Sequence, residues 1–262
     1  MVDASFGIVA GRISGVIALS VIVVVILGWI ALARRGRIPK LRELAPIKAI
    51  EEGVGRATEM NRPVLFAESL PNYKLYGAWA AAIIASLTIL DYLARLCVKY
   101  KANLITCLGR TETLPMVQRI TSEAFTSQGQ KYDPANILFF PEQAYTAGVS
   151  GAILKMKPAT CVYSGMIVHE AVIFGEAGNL IGAFQIAAGT AINNIPFLIT
   201  TCDFTLIGEE LYSGAAIVSG HPIQLGSIAG QDFCKYLIMA IVVAGVALIS
   251  LGSRLILNLL SF

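Results

Sequence analysis

Three apolar stretches of the chain contain no Asp, Glu, Lys or Arg: residues 13–33, 236–253 and 75–90. As a helix with a rise of 1.5 Å per residue, residues 13–33 span about 31 Å, close to the roughly 30 Å hydrocarbon core of a bilayer. Residues 236–253 give about 27 Å, which suffices if Lys235 and Arg254 extend towards the two interfaces. The pattern therefore predicts one membrane-spanning helix near each end of the chain.

The basic residues around the first stretch predict its orientation. Only Arg12 precedes it, whereas five basic residues follow within nine positions, namely Arg34, Arg35, Arg37, Lys40 and Arg42. The sequence Ala31-Leu32-Ala33 resembles a signal-peptide cleavage site, but a signal peptide carries its basic residues before the apolar part. Because basic loops stay in the cytoplasm and suit anionic lipid headgroups, we expect the N-terminus outside and the following residues inside.

The third stretch, 75–90, is shorter and its apolar pattern continues past Asp91 and Arg95. These features favour a buried or oligomer-facing helix of a folded domain over a membrane-embedded helix, which would move everything after it to the other side. The resulting plan is a short outer N-terminus, a first span, a basic segment, a cytoplasmic domain, a second span and an interfacial tail, at 1–12, 13–33, 34–42, 43–233, 236–253 and 254–262.

The middle of the chain alternates between short apolar runs and segments with helical periodicity. The runs predict strands at 63–67, 103–108, 137–140, 159–163, 183–187 and 204–207. Helices are predicted at 46–60, 114–127, 142–155, 167–178 and 209–218, in addition to the Ala-rich stretch. Such alternation indicates an α/β domain with a mostly parallel sheet, Rossmann-like or flavodoxin-like.

Composition narrows the class of protein further. Hydrophobic residues make up 56% of the 262 residues and charged residues 14%, which excludes a disordered chain, a collagen and a disulfide scaffold. Residues 177–202 carry no charged side chain, and this indicates unusual burial or a subunit interface. The five cysteines form no CxxC motif, so we expect small buried thiols in a reducing compartment.

Ligands of parallel α/β sheets bind beyond the carboxyl ends of the strands, so the loops there form the candidate site. An anion is the expected ligand, because Arg110 lies beside a predicted helix N-terminus. Two neighbours weaken this expectation: Glu112 repels an anion, and Thr113 is interpreted as an ordinary N-cap. The candidate residues are Glu68, Ser69, Gly109, Arg110, Thr111, Ser164, Gly189, Thr190 and Glu209.

Sequence motifs for common cofactors are absent. The chain contains no GxxxxGK[ST] motif, and no GxGxxG motif follows the first strand. The two histidines, His169 and His221, do not form an HExxH motif. We therefore predict no metal site, no cofactor, no catalytic residue and no nucleic-acid partner.

Three stretches resemble a family of uncharacterised prokaryotic membrane proteins that contain a domain of unknown function. They are AIEEGVGRATEMNRPV (49–64), CDFTLIGEELYSGAAIVSG (202–220) and LGSIAGQDFCK (225–235). The resemblance covers about residues 40–250 and implies an α/β domain joined to the membrane at its ends. It implies no reaction, cofactor or catalytic residue.

The preferred functional hypothesis is a membrane-anchored assembly protein that forms a homo-oligomer or docks on a larger membrane complex. Its apolar stretches exceed what one domain core requires, and small residues in the spans (Gly15, Ser20, Gly28, Gly245 and Gly252) permit close helix contacts. The alternative is a membrane-bound enzyme or sensor that binds a small anionic metabolite. A transporter ranks third, because neither span contains an internal ionisable residue.

Overall fold

The structure, a computed structural model, describes residues 13–37, 41–68, 72, 75–168 and 170–250. It forms two compact units: a middle unit, Arg42–Ser219, and a terminal unit made of Met1–Leu41 and Gly220–Phe262. Several predicted features lie outside the described residues, namely the N-terminus 1–12, Lys40, Ser69, His169, Arg254 and the tail 254–262.

The described residues contain nine α-helices and six strands. The helices are α1 (Ile13–Arg34), α2 (Ala45–Glu59), α3 (Ala80–Tyr100), α4 (Leu114–Thr126), α5 (Tyr145–Met156), α6 (Glu170–Leu180), α7 (Ile195–Thr201), α8 (Glu210–Ser219) and α9 (Pro222–Ser250). The strands are β1 (Val64–Ala67), β2 (Leu104–Leu108), β3 (Ile137–Phe139), β4 (Thr160–Gly165), β5 (Phe184–Gly189) and β6 (Phe204–Ile207).

The six strands of the middle unit form one sheet in which all neighbours are parallel. Their order, β3-β2-β1-β4-β5-β6, is that of the Rossmann fold and not the flavodoxin-like order, a choice that the sequence left open. All residues of the four central strands are buried, as expected where helices cover both faces of a sheet. The predicted α/β fold is therefore confirmed.

Helices pack on both faces of the sheet. On one face α2, α3, α4 and α8 contribute apolar side chains to a large core that includes Ile50, Leu90 and Leu211. On the other face α5, α6 and α7 cover a second core that includes Val149 and Phe174. The sequence predicted each of these helices except α7, which lies in the uncharged segment 177–202.

The third apolar stretch belongs to the core of the middle unit. It forms α3, which begins at Ala80 and packs against α2, α4, α8 and β4. In its most apolar window 67% of the residues are buried, against 6% and 11% in the corresponding windows of α1 and α9. This burial favours the buried helix over the membrane-embedded one.

A buried polar cluster joins α6 to the sheet. The Gln185 Nε2 group donates to the carbonyl oxygen of Gly175 at 3.0 Å and to Asn179 Oδ1 at 2.8 Å, and the Tyr163 hydroxyl donates to Gln185 Oε1 at 2.9 Å. A Cβ atom at Gly178 would overlap the Gln185 amide. The glycines of α6 therefore let the helix approach β5 closely.

In the terminal unit α1 and α9 pack as an antiparallel pair. A Cβ atom at Gly226 would lie 2.9 Å from Ile30 Cα, and one at Gly230 would lie 2.9 Å from Ile26 Cα. These glycines form a GxxxG spacing, which lets two helix backbones come close. By contrast Gly15 and Gly28, expected at helix contacts, have open space around their Cα atoms.

Both helices of the terminal unit are long and apolar enough to cross a membrane. The second one, α9, begins at Pro222, before the predicted span 236–253, while the middle unit ends at Ser219. The domain boundary predicted at 233 thus falls inside α9. The apolar pattern could not predict that α9 starts at Pro222, because Gln231, Asp232 and Lys235 interrupt the pattern without interrupting the helix.

Candidate functional site

A buried ion pair lies at the carboxyl edge of the sheet, between the ends of β1 and β2. The Glu68 carboxylate is fully buried, and its Oε1 atom lies 3.1 Å from Nη2 of Arg110, whose side chain is 4% exposed. The Thr113 hydroxyl donates to Glu68 Oε2 at 2.8 Å, and the Tyr145 hydroxyl donates to the Glu68 carbonyl oxygen. Three side chains, two from the β2–α4 loop and one from α5, thus meet around Glu68.

The environment of Glu68 changes its proton affinity in two opposing ways. Burial raises the pKa of the Glu68 carboxyl, whereas the Arg110 charge and the Thr113 hydrogen bond lower it, with burial the larger effect. Burial also raises the pKa of the Tyr145 phenol well above its usual value. Tyr145 therefore stays neutral and acts as a hydrogen-bond donor.

The ion pair weakens the case for an anion site at Arg110. The negative charge of Glu68 offsets the positive charge of Arg110 on which that expectation depended. Thr113 is the N-cap residue of α4 by position, but its side chain makes no capping hydrogen bond and binds Glu68 instead. Thr113 therefore occupies the predicted N-cap position, but its hydroxyl bonds to Glu68 and not to the helix end.

A shallow cleft of about 310 Å³ adjoins this pair, and we call it the β2 cleft. Glu112, one of its two exposed carboxylates, accepts a hydrogen bond from the Leu75 backbone at 3.0 Å. Arg110 is its basic residue, so the β2 cleft presents more acidic than basic groups. It is lined by Gly109, Arg110, Thr111, Glu112, Phe139, Pro141 and Glu142.

The other predicted residues lie further along the same edge. Ser164 is buried at the end of β4, and its carbonyl oxygen accepts a hydrogen bond from Ser86 at 2.9 Å. The Thr190 hydroxyl donates a hydrogen bond to Met166 Sδ at 3.4 Å. The Glu209 carbonyl oxygen accepts hydrogen bonds from backbone N–H groups in the first turn of α8.

The structure thus brings Glu68 together with the loop 109–111 and places Ser164 on the neighbouring strand, because Ala67 pairs with Tyr163, whereas Gly189, Thr190 and Glu209 lie at the ends of β5 and β6. Four strand spacings separate β2 from β6, a distance of about 19 Å. Glu209 therefore cannot share one small site with Arg110. Tyr145 was not predicted as a site residue, because its position in an ordinary helical pattern offers no signal.

Metal and thiol chemistry receive no support from the described residues. Among the described ranges, no group of three His, Cys, Asp or Glu side chains is placed to hold a metal ion. All five cysteines are buried, as predicted. Burial raises the pKa of Cys161 to about 12 and that of Cys202 to about 11, so both are protonated near neutral pH.

A second candidate surface surrounds α7. Of the seven residues of this uncharged helix only Leu198 is buried. Phe197 is 46% exposed and Ile199 52%, and Ile192, in the 3₁₀ turn that precedes α7, is 79% exposed. We call Ile192, Phe197 and Ile199 the α7 surface.

The family model described as DUF6754, a domain of unknown function, matches residues 6–260. The chain belongs to this family. The match agrees with the resemblance seen in the sequence, at the level of a domain of unknown function. The description of DUF6754 names no reaction or ligand, so the chemistry of this chain has to be argued from the structure.

Comparisons with curated sequences and with solved structures give no further information on function. No curated protein sequence matches the chain. A solved structure of a candidate NADPH:quinone reductase from Mesorhizobium loti is similar at 13% identity, with a TM-score of 0.32 over 71% of this chain and 48% of that protein. This DUF6754 chain thus spans about half the length of that protein, and the likeness bears on no functional conclusion.

Proposed function

We propose that this protein is a membrane-anchored assembly protein whose α/β domain binds copies of itself or a partner membrane complex. The observation that carries the proposal is the exposure of α7. An α-helix that lacks a polar face is normally buried in a core or in a bilayer. Here six of the seven residues of such a helix are only partly covered or open. A partner surface would complete its burial.

The two helical layers of the domain differ in the way expected of one solvent face and one contact face. On the α2, α3 and α4 side, exposed positions carry ion pairs such as Arg56–Glu52 and Arg95–Asp91. On the α6 and α7 side, exposed positions carry apolar side chains, and neither helix contains a lysine or arginine. Besides the α7 surface, these include Ile173 and Leu180.

The terminal helices supply the anchor. Arg34 ends α1 and Arg35 and Arg37 follow it, all three exposed, and basic segments of this kind remain in the cytoplasm. The proposal therefore includes a cytoplasmic α/β domain, an N-terminus outside, and contact of these residues with lipid headgroups.

The mass of the full-length protein, extracted gently from its membrane, tests the proposal. We expect an oligomer or a fixed complex that Ile199→Asp disrupts. The matched control is Ile84→Asp, because Ile84 on α3 is 54% exposed but lies on the other helical layer. A wild-type monomer across a concentration series would contradict the proposal, as would equal effects of the two variants.

A second function, binding of a small metabolite, is favoured by one observation: a fully buried ion pair lies directly beside the β2 cleft. Nucleotides, acyl thioesters and sugar phosphates should then raise the melting temperature. Glu142→Gln, at an exposed position in the cleft, should change that rise without altering the melting temperature of the unliganded protein. Failure of all three ligand classes would remove this candidate.

A further inference from the structure

We infer that copies of this chain join head to tail, with the α7 surface of one copy seated in a cleft at the β3 edge of the next. The inference rests on the proposed assembly function and names the partner as a second copy. It also names the two different surfaces that meet.

The receiving surface is a cleft of about 380 Å³, which we call the β3 cleft. Tyr132 forms part of it and is held in place, because its hydroxyl donates to the Leu104 carbonyl oxygen at 3.2 Å and its ring packs against Phe125 at 4.9 Å. The volume lies in the range of pockets that receive apolar groups. The cleft is lined by Gln118, Arg119, Ser122, Tyr132, Pro134 and Ile137.

The two surfaces lie at opposite edges of the sheet. The α7 helix packs near β5 and β6, whereas the β3 cleft lies between α4 and the segment that leads into β3. Since β3 and β6 are the outermost strands, one copy presents α7 at one edge and its cleft at the other. Contacts between two different surfaces are heterologous, so they extend from copy to copy.

Charge complementarity favours this pairing over α7 against α7. Between Lys157 and Lys235 the sequence contains no lysine or arginine, so the segment that forms β4, β5, β6 and α7 has acidic residues only. Basic residues reach this segment from α2, where Arg56 lies over the Phe184 ring on the sheet face opposite α7. Residues 42–157, which carry β1, β2 and β3, contain thirteen basic and ten acidic residues. Opposite net charges attract the two halves, whereas a contact of the acidic half with its own copy is repulsive.

Individual charges support the same arrangement. Asp203 lies two residues after α7 and is exposed, with its Oδ2 atom accepting a hydrogen bond from the Gln185 backbone at 2.7 Å and its Oδ1 atom left for a partner outside that bond. Arg119 lines the β3 cleft, and Lys131 precedes Tyr132. Arg119 is paired with Glu123 on its own helix at 2.6 Å, with both side chains largely exposed. An exposed pair of this kind contributes little, so Arg119 can exchange it for an acidic residue of a neighbouring copy.

Mixing two variants of the full-length protein in mild detergent tests the inference. Phe197→Asp spoils the α7 surface and keeps the β3 cleft open, whereas Ser122→Trp fills the cleft from an exposed position and keeps α7. Each variant alone should lower the oligomer fraction by about tenfold or more, and a mixture should restore one-to-one dimers. Native mass spectrometry with differently tagged variants measures both results.

A control variant and the contrary outcomes complete the test. Met116→Trp, at an exposed position of α4 outside the cleft, should leave the oligomer intact, and Ile199→Asp replaces Phe197→Asp if that variant fails to fold. An oligomer that resists Ser122→Trp but not Phe197→Asp, a mixture without dimers, or a different protein on α7 overturns the inference and leaves assembly itself standing. A wild-type monomer overturns both.

Discussion

The Glu68 carboxylate and the Arg110 guanidinium lie 3.1 Å apart at the carboxyl edge of the sheet, almost wholly removed from water. Removing one member of such a pair is costly, because the other then keeps its charge in a medium that solvates it poorly. The sequence predicted that both residues follow strands. It could not predict their pairing, which depends on β1 lying beside β2.

Substituting Arg110→Leu should lower the free energy of unfolding by about 3–5 kcal/mol at neutral pH, because Glu68 stays buried without its partner. A carboxyl whose pKa is raised by folding stabilises the folded state most below its unfolded pKa, and this contribution is lost as pH rises through the folded pKa. The cost should therefore shrink towards pH 4. Denaturation at pH 4.5 and 7.5 measures it, and a pH-independent cost would contradict the account.

Gly178 and Gly151 offer a matched pair of glycines in helices. Gly178→Ala should destabilise the domain by about 1–3 kcal/mol, because the added Cβ overlaps the Gln185 amide. Gly151→Ala should stabilise it by about 0.5–1 kcal/mol, because its Cα faces open space and alanine favours a helix. Thermal melts of both variants provide the comparison, and a gain in both would rule out close packing of α6 on β5.

At the scale of elements, the local pattern of apolar residues predicted where the strands lie in the sequence but not their order in the sheet. Runs such as 63–67 and 183–187 became β1 and most of β5, because buried parallel strands consist largely of continuous apolar residues. Strand order depends on where each crossover returns, which no local pattern records. The α7 helix was missed because IPFLITT has no polar face to mark a helical period.

The contact between α1 and α9 can be tested through its glycines. Gly230→Val should lower the melting temperature of the detergent-solubilised protein, because the side chain would meet the α1 backbone at Ile26. Gly28→Val is the control, since a Cβ there meets nothing within 4 Å. Equal effects of the two substitutions would show that the helices do not pack through the GxxxG spacing.

At the scale of the whole molecule, the proposed membrane anchoring would restrict how copies are arranged. Proteins inserted with one topology into one bilayer are related by rotation about the membrane normal or by translation in its plane. A head-to-tail contact that obeys this restriction closes into a ring or continues as a row. A shared membrane also raises the effective concentration of neighbouring copies, so a modest contact suffices.

The side of the membrane that the domain occupies can be measured with a single introduced thiol. All five native cysteines are buried, so an impermeant maleimide should label the native protein weakly. Gln128→Cys, at an exposed turn after α4, should react in inverted vesicles and remain unlabelled in intact cells. Labelling in intact cells would place the domain outside and reverse the proposed topology.

The half of the domain without lysine or arginine has a further consequence for proteomic work. Trypsin cleaves after basic residues and resists a following proline, as at Lys157-Pro158, so residues 156–235 remain one long peptide. Amine-reactive cross-linkers find no lysine side chain between Lys157 and Lys235 either. Mapping of the α7 surface by cross-linking or hydrogen exchange therefore requires acid-directed reagents and proteases such as pepsin.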